Sequence, residues 1–393
     1  MLDLTELPLV DVHCHPFTRK EALTADEFVN VTAFGGGSET YLAEGGITVD
    51  DAARAWLQRG KRDTVYFRHM VHRLAEFLNC PPDIEAITQA RTQAIAAEGY
   101  EAYNRRVFTS GGISTLIVDF GNPLPPIPVE QFRAEVGIEV VPIFRIEVLI
   151  AELLREDIGW AEFKRLYDER ISAALTSEGY RGLKSIIAYR TGLEISPLSR
   201  TPDQGLQALT AIRRGTGGSA MKKLRDHLFC RALELCMEHD VPMQVHTGMG
   251  DWEVQLTACR PALLMDLLRF PTFRACRVLL VHTGYPYHAE AGYMANVLPN
   301  LWCDISEGVP FAGGAARRII SEVLEMAPVS RVCYGSDAYG TAEPFYASAK
   351  LGKRAVAQAL EALVDDGMLS LAEARDVAAM ILSGNARELY KLD

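Results

Sequence analysis

The sequence has no excess of positive charge, no paired-cysteine motif and no long apolar run, and each absence removes a class of function. Lysine and arginine number 40 against 51 aspartates and glutamates, for a net charge of -11. Nucleic-acid and anionic-membrane surfaces need basic patches, so neither partner is expected. The balance leaves room for a local basic pocket and identifies no substrate. The eight cysteines (Cys14, Cys80, Cys230, Cys236, Cys259, Cys276, Cys303 and Cys333) contain no CxxC pair. Several lie in apolar runs, as buried small thiols do. A disulfide framework is not expected in a chain of 393 residues, which fits a reducing cytoplasm. No apolar run reaches the roughly 18 residues of a membrane span. The opening MLDLTELPLVDVHCH lacks the basic and apolar regions of a secretory signal. No GxGxxG follows the first apolar run, which speaks against a doubly wound nucleotide-binding sheet, the main alternative fold.

What is present is alternation. Eight short apolar runs end in polar residues: 7–15, 113–121, 138–147, 182–190, 241–248, 277–284, 300–306 and 331–338. Continuous hydrophobic strands of this kind are those of parallel sheets covered on both faces. Helical patterning fills the intervals, as in 221–239 and 316–327. Strand and helix repeated eight times predict an α/β fold, a (β/α)8 TIM barrel. The interval between the first two strands is too long for a simple crossover. It reads as a helical cap insertion, 20–108, in a barrel formed by 1–19 and 109–393. FGGGSE (34–39) reads as a mobile loop at its start.

The chemistry-bearing residues fall at strand ends. His13 and His15 are separated by one residue, so on a strand both imidazoles project to one side. Imidazole is a good ligand for zinc and similar ions. Asp11 shares that face and is placed to orient a ligand. His246 and His282 close the fifth and sixth strands in matched contexts, QVHTG and LVHTG. A lone histidine at a strand end is more often structural, but two in matched positions converge on the C-terminal mouth of a barrel. Asp337, in CYGSDA, ends the eighth strand, which meets the first on closure. It suits a metal ligand and proton acceptor, against the alternative of a helix N-cap. Arg145 and Glu147 close the third strand and stand as a substrate contact or a structural pair. Tyr189 and Arg190 follow the fourth, where Arg190 is the candidate for gripping a substrate carboxylate. Glu307 ends the seventh and is expected to face the site; Asp251 and Trp252 are candidates for its mouth. In the cap, Tyr66, Arg68, His69 and His72 share helical spacing, more often packing than substrate contact.

HxH on strand 1, His on strands 5 and 6 and Asp on strand 8 resemble the amidohydrolase superfamily. The wording of VDVHCHPF, GLKSIIAYRTGL, VLLVHTGYPYHAEAGYMANVLPNLWCDIS and YGSDAYGTAEPFYASAK resembles its amidohydrolase-related (amidohydrolase 2) group. That group includes a nodulin-like domain found fused to glutamine-synthetase-like domains. The resemblance spans nearly the whole chain and implies that His13, His15, His246, His282 and Asp337 are ligands of a divalent metal, with zinc expected. It further implies one ion, with His282 acting on bound water or substrate, or two ions bridged by a carboxylated Lys184. The alternative for Lys184 is a substrate anion or a carboxylate partner. A metal lowers the pKa of bound water, and Asp337 would take its proton and pass it to the leaving group. The expected activity is therefore metal-dependent hydrolysis of an amide or other C–N bond in a small molecule, with γ-glutamyl amides suggested by the synthetase association. Two other readings stay open: a metal-dependent decarboxylase on the same barrel, and a non-catalytic signalling protein. A homo-oligomer is compatible with all three.

Overall fold

The structure is a computed structural model that describes residues 2–35, 37–306 and 308–393. Eight strands form one parallel sheet in chain order: β1 (Leu9–Cys14), β2 (Ile113–Asp119), β3 (Glu139–Arg145), β4 (Leu183–Ser185), β5 (Met243–His246), β6 (Val278–Val281), β7 (Leu301–Asp304) and β8 (Val332–Cys333). β8 is only two residues long, yet the chain beyond it runs against β1. Val12 N donates to Tyr334 O at 3.0 Å, Asp337 N to His13 O at 2.8 Å and His15 N to Ala338 O at 2.9 Å. These bonds bring the last strand onto the first and make the sheet a (β/α)8 barrel.

Two apolar clusters explain why the runs are hydrophobic on both faces. Inside the barrel, Val10, Val12, Ile117, Ile143, Leu279 and Cys333 pack above Leu389 and Tyr390 of the C-terminal helix, which plugs the floor. Outside, Leu9, Cys14, Leu116, Val118 and their counterparts meet the surrounding helices. The pairing of β1 with β2 is irregular between Asp11 and Cys14, where strict alternation from Val10 and Val12 gives way.

Between β1 and β2 the chain forms six helices: α1 (Ala25–Thr32), α2 (Ser38–Glu44), α3 (Asp51–Arg62), α4 (Val65–Leu78), α5 (Ile84–Glu98) and α6 (Tyr100–Gly111). Side-chain caps start four of them, at Thr24, Asp50, Thr64 and Asp83. α5 and α6 are anchored by Arg91 and Tyr103, both of which bond to Glu343 of the long helix Glu343–Asp365. Several runs are shorter as strands than their apolar stretch suggests. Only Leu183–Ser185 of the fourth is extended; Ser185 Oγ accepts from Ile187 N at 3.1 Å and the chain turns into the short helix Ala188–Thr191. No helix among the described residues is long and apolar enough to cross a membrane.

Candidate metal centre

Three side chains meet where β1 and the segment after β8 come together. His13 Nε2 and His15 Nε2 lie 3.2 and 3.3 Å from Asp337 Oδ1. The three ligand atoms lie within 4.8 Å of one another. The carboxylate oxygen is buried and has no hydrogen-bond partner. His15 Nδ1 stands 3.2 Å from the carbonyl of Asp119, which requires the proton on Nδ1. With a single proton on the ring, the Nε2 of His15 presents a lone pair to a carboxylate oxygen, a repulsion that a cation between the two atoms or a second ring proton would relieve.

The same accounting holds on the other side of the mouth. Ser306 Oγ donates its only proton to Asp304 Oδ1 at 2.7 Å, so it accepts from His282 Nδ1 at 2.9 Å. His246 Nε2 faces the Met249 carbonyl at 2.9 Å and carries its own proton there. The remaining nitrogens, His282 Nε2 and His246 Nδ1, are 3.0 Å apart. Burial drives both imidazoles well below their ordinary pKa, and Lys184 adds to this at His246. Burial, again with Lys184, lowers His13 to about 4. Neutral imidazoles and a carboxylate with inward-facing lone pairs are a donor set that fits a divalent cation.

The second ring of contacts corrects two expectations. Arg145 does not pair with Glu147. Its Nε reaches Asp119 Oδ2 at 2.9 Å and its Nη2 reaches the same atom at 2.5 Å, while Glu147 Oε1 accepts from Ser185 Oγ at 2.6 Å. The side chain of Arg145 passes against Gly121, where a Cβ would fall 2.4 Å from Arg145 Cδ, so the turn after β2 requires glycine. Asp11 touches neither imidazole ring. It accepts from Ser336 N at 2.9 Å, from Ser336 Oγ at 2.5 Å and from His13 N at 3.3 Å, and so ties the Asp337 segment to β1 through backbone and serine. Burial raises Asp11 to about 7. Lys184 is fully buried with its Nζ 3.3 Å from His13 Nε2; burial lowers it to about 8 against the opposing pull of Asp119.

These groups line a cavity of about 240 Å3. It takes in His13, His15, Arg145, Lys184, Tyr189, Arg190, His246, His282 and Asp337, but not Asp11, Glu147 or Trp252; Glu307 lies outside the described residues. Tyr189 packs on His246 with ring centroids 4.5 Å apart and accepts from Asp251 N at 2.9 Å, which fixes the loop after β5. Asp251 lines the cavity, whereas Trp252 packs on Tyr41 and Gly37 beside α2. In the cap, Tyr66 is buried against Phe311, and Arg68 pairs with Asp63 on the surface. His227 and His288 are structural, bonded to Ser199 O and to Glu322. Sequence reasoning missed Asp119, Asp304, Ser306, Asn122, Glu253 and Tyr339. Asp119 and Asp304 carry the signal used for the histidines, a polar residue closing an apolar strand, in LIVDFG and LWCDIS.

A model of the amidohydrolase family matches residues 161–392. Protein fluG of Emericella nidulans is 28% identical over 368 residues, which cover 84% of this chain and 41% of that protein. The chain thus spans about two fifths of the length of this curated relative. A crystal structure described as a metal-dependent hydrolase from Lactobacillus casei superposes with a TM-score of 0.82 at 26% identity, covering 99% of this chain and 96% of that one. A glucuronate isomerase from Caulobacter crescentus reaches a TM-score of 0.67 at 16% identity, covering 99% and 92% of the two chains; it shares the fold.

Proposed function

We propose, on the premise that this chain belongs to the amidohydrolase family, that it is a metal-dependent hydrolase that cleaves an amide or other C–N bond of a small molecule. The observation that carries the reading is the convergence of His13, His15 and Asp337, whose ligand atoms lie within 4.8 Å of one another. His282 packs on His13 with ring centroids 5.3 Å apart, and its Nε2 lies 3.0 Å from His246 Nδ1. His13, His15 and Asp337 would hold one ion; His246 and His282, with a carboxylated Lys184 as bridge, would hold a second. A divalent cation, zinc in this reading, supplies Lewis-acid polarisation of a carbonyl and lowers the pKa of water toward neutrality. Asp337 would accept a proton at its carboxylate and deliver it to the departing nitrogen. The Asp304–Ser306–His282 chain fixes the tautomer and orientation of His282. Tyr189 and Arg190 line the approach to these groups.

The finer assignment to the nodulin-like group makes γ-glutamyl amides, beside N-acyl amides, the first substrates to screen. The direct test is metal analysis of the purified protein together with His15→Asn and Asp337→Asn. Wild type is expected to retain one or two equivalents of divalent metal, two marking the bridged arrangement, and each variant to lose most of one equivalent and at least 100-fold in kcat/KM. Equal, near-zero metal in all three proteins ends the hydrolase reading.

A further inference from the structure

Beside the metal cavity lies a second cavity of about 450 Å3. Its wall is apolar along Val148, Ile150 and Leu154 of the helix Ile146–Arg155, and its other end is cationic, with Arg190 and Arg225. Asn122, Arg145, Ile186 and Arg190 line both cavities, so the two spaces adjoin. The arginines at this boundary differ in their commitments. Arg145 is neutralised by Asp119. Arg190 and Arg225 form no ion pair among the described residues, unlike Arg91, Arg231, Arg260 and Arg277, each of which holds a carboxylate. Arg225 is half-buried; burial first, and then the charge of Arg190, lower its pKa, with Glu147 opposing. Arg190 is exposed and Arg225 half-buried, and neither has an ion pair among the described residues, so the boundary of the two cavities carries positive charge that an anion can neutralise. Their planar forks suit a carboxylate, and Glu147 offsets one of the two charges, which matches a monoanion.

We propose that Arg190 and Arg225 form a subsite for a carboxylate of the substrate, with an apolar chain of the same molecule lying along Val148, Ile150 and Leu154. The substrate class is a small organic acid with an aliphatic or aromatic group, whose reacting bond extends from the arginines into the metal cavity. This rests on the reading of that cavity as the catalytic centre.

The test is calorimetric titration of the full-length protein, after its metal content is measured, with octanoate, acetate and octanamide. Octanoate is expected to bind at least tenfold more tightly than either acetate, which lacks the chain, or octanamide, which lacks the charge. Arg190→Gln and Arg225→Gln are each expected to weaken octanoate at least tenfold. Arg225→Lys, which keeps the charge, retains part of the affinity, and melting temperatures report whether the variants fold. His15→Asn is expected to leave octanoate affinity within twofold. Equal affinity of wild type and Arg225→Gln, or no preference for octanoate over acetate, overturns the subsite. So does loss of octanoate binding in His15→Asn but not in Arg225→Gln, because the carboxylate would then sit on the metal. Failure of the hydrolase reading looks different: no metal and no turnover, with octanoate binding unchanged.

Discussion

Asp337 and His282 hold backbone conformations that side-chain-bearing residues rarely adopt, with φ of 54° and 72°. Each such residue costs about 1–3 kcal/mol and persists only where its surroundings over-determine it. Here they do: Asp337 N is held by His13 O, and His282 N by Asp304 Oδ1 at 2.8 Å. The strain falls on two proposed ligands, so Asp337→Asn, a residue tolerant of this conformation, is expected to fold with a melting temperature close to wild type while losing metal. Gly121 gives a sharper test at the same scale. Gly121→Ala places a methyl in the path of Arg145. Overpacking of this kind costs about 1–3 kcal/mol, which urea denaturation would read. An unchanged midpoint would mean that the Arg145–Asp119 pair is not held where the structure has it. His246 and His282 were legible in the sequence because each closes a strand in a matched context, and His13 and His15 because they stand one residue apart where an apolar run ends. Asp119 and Asp304 end strands too, but aspartate is common in turns and caps, so the residue type alone did not raise them. Nor does sequence spacing reveal partner choice. Arg145 and Glu147 are two apart, yet Arg145 reaches across to β2.

At the scale of elements, the barrel strands and most of the helices follow from hydrophobic period, and the errors sit at the ends. The runs at 182–190 and 331–338 are read too long as strands because the chain turns into a short helix after β4 and, after β8, bonds to β1 without forming a regular strand. Hydrophobicity records burial, not hydrogen bonding. The contact between α5 and the helix Glu343–Asp365 could not be read at all, since its partners are 252 residues apart. Arg91 and Glu343 are 1% and 0% exposed, with Nε to Oε1 at 2.5 Å; Arg91 also donates to the carbonyls of Lys20 and Glu21, and Tyr103 to Glu343. Removing one partner of a buried pair leaves the other charge stranded, at about 3–5 kcal/mol. Arg91→Met and Glu343→Gln are each expected to destabilise by that order, and the double variant by less than their sum. Burial pushes Glu343 up, but Arg91, Thr341 and Tyr103 outweigh it and keep its pKa below the ordinary value. A depressed folded-state pKa stabilises above the unfolded value, about 4.3, and that stability is lost as pH falls toward the folded one. Glu343→Gln should therefore shrink its deficit in acid. A deficit that stays constant from neutral to acidic pH would refute the assignment.

At the scale of the whole molecule, the site exists only because the sheet closes. The proposed ligands come from β1, β5, β6 and the segment after β8, so the first and last strands contribute to one cluster 324 residues apart in the case of His13 and Asp337. Closure itself rests on a few backbone bonds between β1 and the segment that follows the two-residue β8, and on the C-terminal helix in the floor. A cation shared by both ends of the sheet staples the barrel where its own pairing is shortest. Binding to the folded state alone stabilises by about 2.7 kcal/mol at a hundredfold excess over Kd. With an unfolding entropy of about 2.1 cal/mol/K per residue, that is a melting-temperature rise of roughly 3 °C for a chain of this length. Chelation should lower the wild-type melting temperature by that order, and readdition of zinc should restore it. Because His15→Asn and Asp337→Asn break the cluster from opposite ends of the sheet, chelator should lower the melting temperature less in both variants than in wild type. A chelator shift of equal size in wild type and both variants would put the stabilising ion elsewhere and leave barrel closure to the backbone alone.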